Sequence, residues 1–461
     1  MFNSFRKYIK RTLSTIATVS IIAVTTFSVT ANVSAAASDS STAPKAAWPD
    51  APSITCESAI LIDADTGSIL YEKDSHRKAY PASTTKILTG LLTIENCNLN
   101  DTMTFSSKAA NSVNPYEDAN LSMKAGEQIT VEQALYGLLL YSANEIAYGL
   151  AEQVAGSADA FIDMMNNKAK ELGAINTHFA NPSGLYNPNH YTTAYDMAMI
   201  ARGCYNNASF VNIDSTSSSY TIPATNMSAQ RTIKHRHKML KGREFYYEYC
   251  KGGKTGFTDE SLMTLVTFAE KDGMRLICVV FRSPDDSTRY IDTRALFDWG
   301  FGNFKKSTTS NSQISSLFST DNYYSSDVFG KSKLGFNLNA SFITIPANGS
   351  TSDVTMDINT DYDVSNSNDK LTAKLNYKYG DNVVGTTTLT ISSGNAVKDS
   401  QLPYLSNEIK VTELTPKKCL KVNIWIIAGI VAAILIIITI INNRKLSNNR
   451  KHHYSKRNLR F

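Results

Sequence analysis

Leu262-Met263-Thr264-Leu265-Val266-Thr267-Phe268, then Lys271-Asp272-Gly273, then Arg275-Leu276-Ile277-Cys278-Val279-Val280-Phe281 is the stretch that decides the fold. Two apolar, β-branched runs flank an Asp-Gly turn, which reads as a β-hairpin. A second hairpin lies near the start: Ala59-Ile60-Leu61-Ile62, the turn Asp63-Ala64-Asp65-Thr66-Gly67, and Ser68-Ile69-Leu70-Tyr71. The sequence between them is helical in pattern. A helix is expected after Pro81, with Ile87, Leu88, Leu91 and Ile94 on its apolar face. Thr130 and Gln133 form a capping box that opens a helix with Leu135, Leu138 and Leu139 inward. Further helices are expected over about 144–154 and about 287–300. Helices lying between an early and a late hairpin predict a mixed α/β (α+β) domain whose sheet draws strands from both ends of the chain.

The 461 residues are 42% hydrophobic and 19% charged, which is globular composition and too long for one ordinary core. The net charge of +5 comes from the two ends. Four basic residues and no acid lie in the first 36 residues; seven basic residues and no acid lie in the last 20. Without those eleven charges the middle carries −6, which gives no reason to expect a nucleic-acid partner.

Residues 1–36 read as a signal peptide: a basic start, an apolar stretch and the small-residue run Val33-Ser34-Ala35-Ala36-Ala37. An uncleaved anchor is the other reading. Residues 37–52 form a Ser, Ala and Pro-rich leader. Residues 422–441 are uncharged and apolar, long enough at about 30 Å to cross a bilayer as a helix. The basic tail over 442–461 predicts a cytoplasmic C-terminus and a cell-membrane protein whose folded part faces outward. Composition shifts near Lys305. Residues 305–420 are Ser, Thr and Asn-rich with short alternating runs, and read as a small all-β domain, a sandwich, without a chemical motif. Six scattered cysteines, Cys56, Cys97, Cys204, Cys250, Cys278 and Cys419, form no CxxC pair and read mostly as buried free thiols.

Three short motifs carry chemistry. In Ser83-Thr84-Thr85-Lys86 a serine and a lysine share one helix face, where a lysine of depressed pKa can take the hydroxyl proton. Ser83 could equally be a helix cap, since the same spacing begins at Ser4, Ser75 and Ser367. In Ser142-Ala143-Asn144 a hydroxyl can relay protons and an amide can bind a peptide group, although Ser142 with Glu145 also spells a capping box. Lys254-Thr255-Gly256, followed by Phe257, offers a cation and a hydroxyl for a carboxylate, with glycine allowing close backbone approach. No HExxH motif or Cys/His cluster is present, so neither a metal nor a cofactor is expected.

In this order the three motifs are the known signature of penicillin-binding proteins and class A β-lactamases. The chain resembles the low-molecular-mass penicillin-binding proteins of the serine D-alanyl-D-alanine carboxypeptidase family. Asp63-Ala64-Asp65-Thr66-Gly67, Pro81-Ala82-Ser83, Asn181-Pro182-Ser183-Gly184-Leu185, Thr193-Ala194-Tyr195-Asp196 and Arg289 extend the likeness. The resemblance implies a penicillin-binding/β-lactamase-like transpeptidase domain over 53–304, taking peptidoglycan stem peptides and β-lactams as partners. It implies Ser83 as nucleophile, Lys86 as base and Ser142 as proton relay. Asn144 would hold the stem peptide, Lys254 and Thr255 its terminal carboxylate, and Gly256 would let its backbone approach closely; Arg289 would be a further carboxylate partner or make a structural salt bridge. The N–H groups of Ser83 and Phe257 would form the oxyanion hole. A D,D-endopeptidase, or a penicillin-binding sensor or scaffold without turnover, would share these motifs. A β-lactamase would need a second carboxylate base, which the 181–185 loop does not offer. The segment 234–249, with His235-Arg236-His237, matches no family pattern.

Overall fold

The computed structural model describes residues 47–309, 334–338, 341–358, 365–367 and 370–393. The expected signal peptide, membrane span and basic tail lie outside the described residues, as does Cys419. No helix among the described residues is long and apolar enough to cross a membrane.

The central sheet has five antiparallel strands: β1 (Ser58–Asp63), β2 (Ile69–Lys73), β3 (Cys250–Thr258), β4 (Leu262–Lys271) and β5 (Met274–Ser283). Their order is β2-β1-β5-β4-β3, so the first strand pairs with the last, Ser58 opposite Phe281 and Asp63 opposite Leu276. Strand β3 is the sheet edge.

The late hairpin reads as an unbroken apolar run because both faces of the sheet are covered. Ile60, Ile62, Val266, Phe268, Ile277, Val279 and Phe281 point into one core, with residues of the helices. Ala59, Leu61, Leu265, Ala269, Leu276, Cys278 and Val280 point into a second. The alternation along each strand sorts residues between two cores instead of between core and water.

The helices on the first face are α1 (Lys86–Asn96), α2 (Val131–Tyr136), α3 (Asn144–Ala155), α4 (Ala158–Glu171), α5 (Ala194–Tyr205) and α6 (Ala208–Asp214). Helix α7 (Asp286–Asn303) adds Tyr290, Leu296 and Phe297 to the second core. The expected capping box is present: Thr130 accepts from the Gln133 N–H, and the Gln133 side chain accepts from the Thr130 N–H. Helix α1 is the helix expected after Pro81, with Ile87, Leu88 and Leu91 in the core and Ile94 packed against it. Every residue from Lys86 to Thr93 is buried, because the helix runs through the interior.

The described chain divides into two compact units. The first runs to Ser307 and takes in 343–355 and 379–384. Within it the Thr66 and Thr344 hydroxyls lie 3.0 Å apart. In the second unit Leu334–Leu338 pairs antiparallel with residues 389–393, and Ser365–Ser367 with residues 370–372. The five described cysteines are all free thiols, with Cys56, Cys204 and Cys278 buried.

Candidate active site

Ser83 stands in a 3₁₀ turn, Ala82–Thr85, that leads directly into α1. Ala82 before it has φ 49°, a left-handed conformation that costs a residue with a side chain on the order of 1–3 kcal/mol. The turn is held from three sides. Pro81 O accepts the Thr84 hydroxyl at 2.7 Å and the Thr264 hydroxyl of β4 at 3.1 Å. Thr85 Oγ1 lies 2.8 Å from Nε2 of the buried His190. His190 Nδ1 accepts the Ala180 N–H at 3.1 Å, so the neutral ring carries its proton on Nε2 and donates to Thr85. Burial pushes this imidazole down to about 3, which keeps it neutral.

Lys86 is fully buried, with Nζ 3.0 Å from Ser83 Oγ, 2.5 Å from Asn144 Oδ1 and 2.5 Å from the Ser183 carbonyl oxygen. Burial first, and then the charge of Lys254, pull its ammonium well below the ordinary lysine range. The Ser183 carbonyl is offered by an Asn181-centred turn. Asn181 Oδ1 accepts the N–H groups of Ser183 and Gly184 at 3.2 and 2.7 Å, and Thr89 of α1 donates to Pro182 O at 2.7 Å. Gly184 sits at φ 84°, and a Cβ there would fall 1.9 Å from the Ala82 carbonyl oxygen. This loop was legible only through resemblance; a backbone carbonyl leaves no mark on residue identity.

Ser142 does not cap α3. The N-cap is Ala143, with no side-chain cap bond. Ser142 itself follows a single π turn, Gly137–Tyr141, and takes φ 71°. Its Oγ accepts from Lys254 Nζ at 3.0 Å. The Glu145 carboxylate reaches away, accepting the Leu121 N–H at 2.6 Å. The capping-box reading of Ser142 and Glu145 therefore gives way to a tertiary contact.

Lys254 is also buried, and donates a second bond to Thr255 O at 3.0 Å. Burial, followed by the charge of Arg236, brings it down to about 7. Along β3, Gly256 is buried, Thr255 half-buried and Phe257 exposed. Because β3 is an edge strand, an extended peptide can add alongside it. Arg289 Nη1 donates to the carbonyls of Gly256 at 3.1 Å and Thr264 at 3.0 Å, and Nη2 pairs with Asp286, so the guanidinium ties β3 to β4. Arg236 is the cation that sequence reasoning missed. It is exposed, its guanidinium lies 4.5 Å from the Tyr141 ring centre, and its charge lowers both Lys86 and Lys254. The alternation of buried His235, exposed Arg236 and buried His237 was the available signal. Among the described residues no three His, Cys, Asp or Glu side chains cluster as metal ligands.

Thus Ser83, Lys86, Ser142, Asn144 and Lys254, spread over three distant segments, form two hydrogen-bonded groups, Ser83–Lys86–Asn144 and Ser142–Lys254, the latter anchored on an edge strand of the antiparallel sheet. Such a lysine–serine pair on this fold defines the class of penicillin-binding serine peptidases. A family model described as D-alanyl-D-alanine carboxypeptidase matches residues 45–285, more than half of the sequence, and the chain belongs to that family. It is 34% identical to D-alanyl-D-alanine carboxypeptidase DacF of Bacillus subtilis over 54% of this chain, and spans 63% of that relative's length. It is likewise 34% identical to DacB2 of Mycobacterium tuberculosis, over 55% of this chain and 84% of the relative. Penicillin binding protein 5 of Haemophilus influenzae shares the fold at a TM-score of 0.58 and 24% identity, covering 75% of this chain and 98% of that structure.

Proposed function

We propose that the chain is a serine D-alanyl-D-alanine carboxypeptidase that removes the terminal D-alanine from peptidoglycan stem pentapeptides. The observation that carries this reading is the 3.0 Å bond between Ser83 and a fully buried Lys86 whose pKa is depressed. A lysine in that state can accept a proton, which an exposed lysine at neutral pH cannot.

Neutral Lys86 takes the Ser83 proton as Oγ attacks the carbonyl carbon of the penultimate D-alanine. The oxyanion that forms is received by the N–H groups of Ser83 and Phe257, each donor contributing on the order of 3 kcal/mol. The C–N bond breaks, and the leaving amine of the terminal D-alanine receives, by way of the Ser142 hydroxyl, the proton that Lys86 took from Ser83, which leaves Lys86 neutral again; Ser142 is bonded to Lys254. Water then attacks the acyl-Ser83 ester while Lys86 takes one of its protons and passes it to Ser83 Oγ as the ester C–O bond breaks, and the shortened peptide leaves with a carboxylate. The substrate backbone lies along the β3 edge with Asn144 opposite, and its terminal carboxylate is held by Lys254 and Thr255. A β-lactam acylates Ser83 by the same attack, its ring amide opening without a leaving group.

The sequence ends support the cellular setting of this proposal: an exported domain, single-pass anchored by residues 422–441, with 305–420 as a spacer from the membrane. The test is D-alanine release from a D-Ala-D-Ala-terminated pentapeptide by the purified full chain, beside Ser83→Ala. Release that vanishes in the variant supports both reaction and nucleophile. A folded wild type that binds penicillin covalently but cleaves only cross-linked dimers would move the assignment to D,D-endopeptidase. One that cleaves neither would make it a sensor or scaffold.

A further inference from the structure

Residues 235–237 run as a strap between two of the catalytic segments. The Arg236 N–H donates to Leu140 O at 2.9 Å, two residues before Ser142. The strap's other attachment is Asp214, the last residue of α6, which is fully buried. Asp214 Oδ2 accepts the Gly253 N–H at 2.6 Å, one residue before Lys254. Its Oδ1 faces Nε2 of buried His235 at 3.5 Å, and neither of those two atoms has a hydrogen-bond partner among the described residues. His235 Nδ1 accepts the His237 N–H at 3.0 Å, so a neutral His235 carries its proton on Nε2, toward the carboxylate. His237 in turn lies 2.9 Å from the Thr267 hydroxyl of β4.

This is the place where β3 needs an external hold. Its register against β4 shifts between Cys250 and Gly252. Gly253 takes φ 137°, and a Cβ there would fall 2.1 Å from Val266 O. An asparagine at 214 could satisfy the Gly253 N–H without the desolvation that a buried carboxylate incurs. The carboxylate adds negative charge beside the Lys254 ammonium, with a histidine to steady it.

We propose that the buried Asp214–His235 pair is a positioning device for the Lys254-Thr255-Gly256 strand, and that it governs how tightly the substrate's terminal carboxylate is held. The identity of that carboxylate rests on the carboxypeptidase reading above. Asp214 touches no substrate; it acts through Gly253 and Lys254. Its charge also opposes the depression of Lys254 by burial and Arg236.

The experiment compares the full chain with Asp214→Asn, His235→Leu and His235→Gln. It follows D-alanine release from the pentapeptide, acylation by a fluorescent penicillin, and thermal unfolding. In Asp214→Asn, KM should rise about tenfold while kcat stays within about twofold. The alkaline limb of kcat/KM should also move to lower pH, since Lys254 loses its counter-charge. His235→Leu should raise KM as Asp214→Asn does, and His235→Gln, whose amide can turn a donor toward Oδ1, should recover most of that rise. If Asp214→Asn fails to fold, the two His235 variants carry the test. An unchanged KM and alkaline limb in folded variants overturns the proposal. So does an equal fall in kcat and kcat/KM without movement in pH. A wild type acylated by penicillin that releases no D-alanine overturns the carboxypeptidase reading instead. The acylation rates of the variants, which depend on the same Lys254 site, then decide the positioning role by the same comparison.

Discussion

Lys254 Nζ donates to Ser142 Oγ at 3.0 Å, so the proposed carboxylate-binding cation and the proposed proton relay are one hydrogen-bonded unit. Lys86 and Ser83 form the other unit at the same distance. The two lysines have opposite requirements: Lys86 must be neutral to act as a base, and Lys254 must be charged to hold a carboxylate.

That opposition predicts a bell-shaped pH profile for kcat/KM. Activity falls on acidification as Lys86 takes up a proton. It falls on the alkaline side as Lys254, brought down to about 7, loses its own. Lys254→Arg keeps a fixed charge, so the alkaline limb should disappear while kcat/KM drops about tenfold from the altered geometry. Stopped assays of D-alanine release between pH 5 and pH 10 check this; an alkaline limb unchanged in the variant would assign it to another group.

Gly184→Ala should cost about 3 kcal/mol or more, from the left-handed φ and from the overlap with the Ala82 carbonyl. Because Ala82 leads into Ser83, penicillin acylation should slow more than the fall in folded population accounts for. Thermal unfolding and labelling rates, measured on the same preparation, separate the two effects.

Glu127 is fully buried and paired with Arg231 at 2.7 Å. Burial pushes its carboxyl up, but the Arg231 guanidinium and the Thr225 hydroxyl outweigh this and hold it at about 2. A carboxylate held below its unfolded value of 4.5 stabilises the fold above that pH, and the contribution is lost as pH falls toward about 2. Glu127→Gln should destabilise by about 3 kcal/mol at neutral pH and flatten the acid dependence. Urea midpoints from pH 7 to pH 3 test both parts.

Arg289→Lys removes a fork that bonds two carbonyls and Asp286 at once. If Arg289 braces the strand, KM should rise about fivefold and unfolding should shift as well. A rise in KM with unchanged stability would return it to the role of direct carboxylate ligand.

Much of this is legible in the sequence. The two hairpins, the Thr130 capping box and the helix over about 144–154 follow from local pattern, which is why they are readable. What local pattern could not give was the use of side chains across the chain. Ser142 and Glu145 have capping-box spacing, yet each is drawn off by a distant partner, Lys254 and Leu121. In helix α1, Lys86, Thr89 and Thr93 are polar by sequence, yet all three are buried. Thr89 bonds Pro182 O and Thr93 bonds Thr89 O, so their polarity is satisfied inside. The His235-Arg236-His237 strap had no meaning until Asp214 and Gly253 were seen beside it.

The pairing of β1 with β5 has a kinetic side. Ser58 finds its partner only at Phe281, so the sheet cannot close on a chain still emerging from the ribosome until nearly the whole domain has been made. Contacts of such long sequence separation make for slow folding. They also mean that Ser83, synthesised early, waits for Lys254, synthesised late. A chain cut short before β5 holds Ser83, Lys86 and Ser142 but lacks the strand that joins β1 to β4 and β3.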